Sequence, residues 1–410
     1  MNSRVASVLL ICCLISPTFA QWPQFLGPNR GGIAPSSNIA DSFPDDGPRE
    51  LWRVDLGVSM SGLAVAEQRA YTMFQDTQSQ YAVALDMKTG DTLWKTPVSK
   101  AYKNGQGDGP RSTPTVTKST VVVFTGDGVL AALDKSTGQV RWSQELMSSL
   151  GGRVADYGMS CSPLLVGNLV VVSIGVPGAA VVAVDQESGK IVWRSGNGPA
   201  GYSSPALLDV SGKPTIVAFL GDRAAGFAPK TGKLMWEYSF PTDYQCNTAT
   251  PIAVDGRVLI SAGENQGSVL LKIEQTGENY AAKEVWTSLG PRSAMRSEWQ
   301  TPILHEGYLY GFDNVGSAGA VTHLVCVDSK TGKQMWRVPR FGKGNAIASG
   351  DKWVMSTMAG ELIIAQMNPE RFVELARAQV IGKTRQAPVI AGTKLLLRDN
   401  AKVVCFELAD

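Results

Sequence analysis

The sequence predicts an all-β fold, an eight-bladed β-propeller of four-stranded antiparallel blades whose ring is closed by its own N-terminal strand. Three observations carry the prediction. One short segment recurs roughly every 50 residues, each copy holds four short β-type runs, and the chain ends one strand short of a full copy while beginning with that strand.

The recurring segment is clearest at Ala84-Leu85-Asp86 leading through Thr89-Gly90 to Trp94, and at Ala132-Leu133-Asp134 leading through Thr137-Gly138 to Trp142. Further copies run from Asp185 through Ser188-Gly189 to Trp193, and from Ala228 through Thr231-Gly232 to Trp236. Two more run from Glu274 through Thr276-Gly277 to Trp286, and from Asp328 through Thr331-Gly332 to Trp336. A degraded seventh copy, near Ile364 to Leu375, has Asn368-Pro369 at the turn. An aspartate before Thr-Gly can bond its own backbone two residues on, and the glycine takes the positive φ of a tight turn. These acids therefore read as turn formers. Trp52, Trp94, Trp142, Trp193, Trp236, Trp286 and Trp336 read as the packing between neighbouring blades.

Residues 113 to 146 show the four strands of one unit: Thr113-Val116, Thr120-Phe124, Val129-Leu133 and Gln139-Trp142. The eighth copy begins at Pro388-Val389-Ile390 and stops at Val404-Cys405-Phe406-Glu407, after its third strand. Glu50-Leu51-Trp52-Arg53-Val54 is an outer-strand sequence with no turn before it, so it is expected to complete that last blade and leave only short protected edges. The domain reading is 1–20 signal peptide, 21–49 ordered lead-in, and 50–410 propeller.

Residues 1–20 hold one charge at Arg4, an apolar run from Val8 to Ile15, and a small-x-small site ending at Ala20. This is the pattern of an export signal cleaved after Ala20, placing the mature chain in the periplasm or outside the cell. Cys12 and Cys13 lie within the apolar run rather than after a small residue, which argues against a lipid anchor. Charged residues are 18% of the chain and the net charge is +2, so a phosphate-tracking nucleic-acid binder is not expected. No other stretch has the ~20 apolar residues of a membrane-spanning helix. A soluble monomer is the expectation.

The Ala-x-Asp-x-x-Thr-Gly-x-x-x-Trp copies resemble the PQQ-like (pyrroloquinoline-quinone-type) β-propeller repeat family over nearly all of residues 50 to 410. Trp22 to Gly32, Gly107 to Pro114 and Phe372 to Gln379 resemble a secreted bacterial subgroup of it. The resemblance implies one of two functions. One is a binding or protein-interaction scaffold, as in the propeller lipoprotein of the outer-membrane barrel-assembly machine. The alternative is a PQQ-dependent oxidoreductase acting on an alcohol or sugar, with PQQ and calcium as cofactors. Quinoprotein dehydrogenases resemble one another in a vicinal cysteine pair, a tryptophan platform and a calcium held by Glu, Asn and Asp. Here the Cys-Cys pair is Cys12-Cys13, in the signal peptide, and Cys-x-x-Cys-His for a haem is absent. The scaffold reading is preferred, with no cofactor, no metal site and no assigned catalytic residue.

Other chemistries find no support. Gly382-Lys383-Thr384 lacks the earlier glycine of a phosphate loop, because Arg377 stands there. The two histidines, His305 and His323, have no metal-spaced partners. Within a blade the first-to-second and third-to-fourth turns share one face and are short. The opposite face carries the long loops 96–112, 146–162, 195–204, 240–250 and 288–301, and is the expected ligand face. Arg111, Tyr157, Tyr202, Asn247, Arg296, Glu298, Trp299 and Arg385 precede the inner strands and are expected to ring the channel mouth. Their arginines suit a small anionic or carbohydrate ligand, or a protein partner, through forked hydrogen bonds to a carboxylate. The plain alternative is that they bond loop carbonyls.

Four cysteines follow the signal peptide. Cys326 and Cys405 fall on third strands of blades six and eight, too far apart to bridge, since joined Cα atoms lie within about 7 Å. Cys161 and Cys246 lie on the loop face and read as free thiols before they read as a bridge.

Overall fold

Runs such as Thr120–Phe124 and Val170–Val172 are buried on both faces, because each sheet is covered by a neighbouring sheet on either side. The computed structural model describes residues 21–35, 39–316 and 321–409. Among them are eight antiparallel sheets of the blade type. Blade one, for example, is Ala64–Ala66, Arg69–Gln75, Ser79–Asp86 and Thr92–Lys100, paired in chain order. Blade eight is Val389–Ala391, Lys394–Arg398 and Lys402–Glu407, completed by Glu50–Asp55. Trp52 pairs with Cys405 and Val54 with Val403, so the two ends of the chain close the ring through one ladder. Among the described residues, helix is limited to Leu146–Ser149 and two short 3₁₀ turns.

The repeat explains the seams. Asp134 accepts the amides of Ser136 and Thr137 at 2.9 and 3.0 Å, and Gly138, at φ +75°, closes the turn onto the Asp134 carbonyl. That glycine lies under the ring of Trp94 from the preceding blade, where a Cβ would come within 2.6 Å of the indole. The Trp94 indole N–H then donates to the Lys135 carbonyl of the same turn at 3.1 Å. The arrangement recurs with Trp52 on Met87, Trp142 on Gln186, Trp193 on Pro229 and Trp286 on Ser329. At blade seven, where Asn368-Pro369 replaces Thr-Gly, Trp336 still finds the Asn368 carbonyl at 2.8 Å.

Trp236 departs from the pattern. Blade five extends its last hairpin into Gly267–Thr276 and Asn279–Leu289, so Gly277 sits at the far tip with no atom within 4 Å of its Cβ position. No turn carbonyl is left for Trp236, and its buried indole nitrogen has no protein partner. Instead the indole settles against its own sheet over Gly226, where blades one, two and three carry Ala84, Ala132 and Ala183 opposite their tryptophans and blades five, six and eight carry Leu270, Cys326 and Cys405. The Glu274 to Trp286 copy has the expected sequence order but a different turn geometry.

The lead-in does more than precede the ring. Trp22 pairs antiparallel with Val65 of the blade-one inner strand, whereas Ile33–Ala34 pairs parallel with Ala348 and Ser349 of the blade-seven inner strand. Inner strands share one direction, so the segment enters and leaves the channel at the same, short-turn end and turns over between. Its hold is made of backbone bonds to three blades: Trp22 with Val65, Val116 N–H to the Pro23 carbonyl, and Ala348 N–H to the Gly32 carbonyl. Arg30 reaches the carbonyls of Ser162, Pro163 and Pro205 on the approaches to blades three and four. The central channel is thereby corked by the chain itself.

Candidate functional site

Above the cork lies a cavity of about 590 Å³ at the axis of the long-loop face. Every blade lends it some residues at or just before its inner strand, drawn from 60–63, 106–113, 157–162, 202–204, 244–248, 298–299, 343–345 and 385–389. Trp22, Phe25 and Leu26 of the lead-in form the floor, so the space is a bowl and not a pore. This floor was not legible from the repeat, because the lead-in has no copy elsewhere in the chain. Its one signal was a tryptophan outside the motif series.

Six of the eight expected mouth residues line the bowl: Arg111, Tyr157, Tyr202, Glu298, Trp299 and Arg385. Tyr157 and Tyr202 stack with centroids 5.5 Å apart, and the Tyr202 hydroxyl accepts the Tyr157 amide at 3.2 Å. Trp299 lies under two cations, Lys343 at 4.3 Å and Arg385 at 4.9 Å from its ring centre. Lys343 also pairs with Glu298 at 2.8 Å, and Glu298 accepts the Asn314 side-chain amide. Arg111 stacks on Tyr102 and donates to the carbonyls of Tyr157, Gly107 and Gly109, fastening the blade-two loop to the blade-three loop. Arg385 donates to the Gln106 carbonyl at 2.9 Å. The plain role of bonding loop carbonyls is therefore present at both arginines.

Two expected mouth residues are elsewhere. Arg296 is 2% exposed and locked in a bidentate pair with Asp313, at 2.6 and 2.7 Å, so it belongs to the wall behind the bowl. Asn247 is fully buried and ties together the carbonyls of Leu220 and Phe240, while its own carbonyl holds the Tyr202 amide. The reason is common to both: proximity to an inner strand fixes a residue's position along the axis but not which way its side chain turns. Lys343, Cys246, Glu264 and Gln386, which the sequence did not single out, line the bowl instead.

Burial keeps the phenol and the thiol of the bowl in their neutral forms. Burial pushes the Tyr202 phenol up to about 12. Burial, with Glu264 and Glu298 nearby, pushes the Cys246 thiol up to about 12. Both are neutral at pH 7, and neither histidine lines the space. All four described cysteines are free thiols. Cys326 and Cys405 are buried in separate blades. Burial lowers Arg111 to about 10, which leaves it fully charged at neutral pH.

Comparison with known proteins places this architecture. A family model described as outer membrane protein assembly factor BamB matches residues 38–146 and 80–338. The BamB of Moranella endobia is 20% identical over 83% of this chain and 88% of its own. The crystal structure of BamB from Moraxella catarrhalis superposes with a TM-score of 0.60 at 15% identity, covering 88% of this chain and 99% of that one. Quinohemoprotein alcohol dehydrogenase from Comamonas testosteroni superposes with a TM-score of 0.66 at 16% identity, over 95% of this chain and 80% of that one. At such identities the structural matches speak to the fold, while the sequence model spans most of the ring: this chain belongs to the family of the outer membrane protein assembly factor BamB.

Proposed function

We propose that this chain is an exported β-propeller scaffold of the bacterial envelope that engages protein partners through the bowl and the long loops around it. The observation that carries the reading is the corked axis. The lead-in turns a channel into a closed bowl framed by loops from all eight blades, a rigid base for recognition rather than a conduit. Membership of the BamB family supports partners belonging to the machinery that inserts proteins into the outer membrane. The exposed Tyr244, held at φ +57°, stands at the rim of the bowl as a ready aromatic contact.

The residues present do not fit the quinone alternative. None of the described cysteines has a cysteine neighbour in sequence, so the vicinal pair is missing. The tryptophan at the mouth, Trp299, is already covered by Lys343 and Arg385.

A photocrosslinker placed at Tyr244 tests the scaffold reading in the native envelope, with one at Val192 on the rim as control. Defined adducts with outer-membrane assembly components from Tyr244 but not from Val192 are expected. Equal adducts from both positions would remove the long-loop face. Dye-linked oxidation of an alcohol or sugar after loading with PQQ and calcium would establish the enzyme instead.

A further inference from the structure

The arginines of the axis differ from many others in this molecule. Arg53, Arg141, Arg223, Arg296 and Arg377 are each paired with a carboxylate within hydrogen-bonding distance. Arg111 and Arg385 on the bowl wall and Arg30 just beneath it are not: among the described residues their partners are carbonyls, the Gln24 amide oxygen and the Met60 sulfur. Asp108, the acid whose charge Arg111 feels, is held by Lys103 at 2.7 Å. Two guanidinium groups therefore stand on the bowl wall, with a third beneath it, none of them paired with a carboxylate, in a setting where burial makes an unbalanced charge costly.

A second observation points the same way. Gln386 is 6% exposed and lines the bowl beside Arg385. Its side-chain oxygen accepts from the Thr384 hydroxyl at 3.0 Å and the Arg385 amide at 3.2 Å, which fixes the nitrogen as the free end. That nitrogen is buried and has no partner. A buried donor with no acceptor is uncommon and unfavourable unless something supplies one. Each guanidinium has five N–H donors, so Arg111 and Arg385 keep donors beyond those their loops use. The floor below is apolar, made of Trp22, Phe25 and Leu26. Of the two acids that line the bowl, Glu264 and Glu298, Glu298 is paired with Lys343 and neither is paired with Arg111 or Arg385.

We propose that the bowl binds a carboxylate joined to an apolar group, the carboxylate against Arg111 and Arg385, beside Gln386, and the apolar body on the Trp22, Phe25 and Leu26 floor. Two sources carry that chemistry: a free small carboxylate, and the C-terminal residue of a polypeptide. The proposal rests on the bowl being a binding site but not on the identity of the scaffold's partners.

Calorimetric titration of the purified mature chain tests it. The probes are N-acetyl-phenylalanine, its amide, and a Gly/Ser decapeptide ending in phenylalanine with a free or an amidated C-terminus. At least one free carboxylate should bind ten times more tightly than its amide, weakening with salt. Binding by the acetylated amino acid alone identifies a small carboxylate, and binding by the free-ended peptide at least as tight identifies a chain terminus. Arg385→Gln should weaken it about tenfold or more with unchanged melting. Gln386→Glu keeps the bonds to Thr384 and the Arg385 amide while replacing the free donor with a negative charge, and should do the same if Arg385→Gln disturbs the loop. Amides that bind as well as acids, no binding of either acid at about 10 mM, or both variants binding like the parent would overturn the proposal. Crosslinks from Tyr244 without carboxylate binding would leave the scaffold and remove this site.

Discussion

The rim and the axis of this propeller are built on opposite principles. Around the rim one device repeats: a tryptophan from one blade lies on a turn glycine of the next and donates to a carbonyl of that turn, as Trp52, Trp94, Trp142 and Trp193 all do. At the axis a segment with no copy elsewhere is laid across the repeat. A single inserted segment meets blades one, two, three, four and seven with different groups each time, through Trp22, Pro23, Arg30 and Ile33–Ala34. Repetition makes the ring, and the departure from it makes one place in the ring unlike every other. A binding site needs the second.

The N-terminal segment serves both regions, so removing it gives the largest expected effect. Deleting residues 21–55 takes away the cork and the outer strand of blade eight together, exposing the unpaired edge of Lys402–Glu407. Aggregation, or loss of the cooperative melting transition, is expected. A deletion variant that stays monomeric and melts like the parent would show that neither closure matters.

Arg30→Met tests the axis alone. It removes the donor shared by three buried carbonyls and leaves the rim untouched. A loss of about 2–3 kcal/mol in denaturant unfolding is expected, with unchanged secondary structure. No loss would mean that relief of the buried charge offsets the broken bonds, and would make the cork a passenger.

The rim can be sharpened with two substitutions of the same kind. Gly138→Ala places a methyl 2.6 Å from the Trp94 ring at φ +75°, combining a clash with backbone strain. Gly277→Ala, at φ +64°, has open space and strain only. The first should cost clearly more, with about 1 kcal/mol for the second. Equal costs would show that the tryptophan seat contributes nothing to the seam.

The smallest effect concerns the turn acids. Hydrogen bonds from the Ser136 hydroxyl and from Arg141 hold the Asp134 carboxyl well below the usual carboxylate range. A depressed acid contributes stability that is present above its unfolded value of about 3.9 and is lost as pH falls through the folded value. The melting difference between the parent and Asp134→Asn should therefore be small and constant near neutrality and should shrink below about pH 4. A difference that grows on acidification would contradict this.

What could be read from the sequence follows the same division. The blade count, the closing strand and the turn role of Asp86 or Asp328 were legible because the repeat states them many times over. Arg296 and Asn247 were misplaced because a position before an inner strand is compatible with facing the bowl or the wall, and only partners such as Asp313 or the Leu220 carbonyl decide between them. The different seat of Trp236 was signalled by Gly226, which lacks the Cβ that Ala84, Cys326 or Cys405 present at the same place in other blades, but that signal has meaning only once the pairing is known.

The central claim is that the lead-in seals the axis, making a bowl of what would be a channel. Hydrogen exchange of individual amides tests this most directly. Val65, Val116 and Ala348 donate to Trp22, Pro23 and Gly32 respectively, so their amides should exchange as slowly as those of the rim ladder, for example Val403 and Val404. Exchange of those three amides at the rate of exposed loops, with the rim still protected, would mean that the segment does not occupy the channel and that the bowl has no floor.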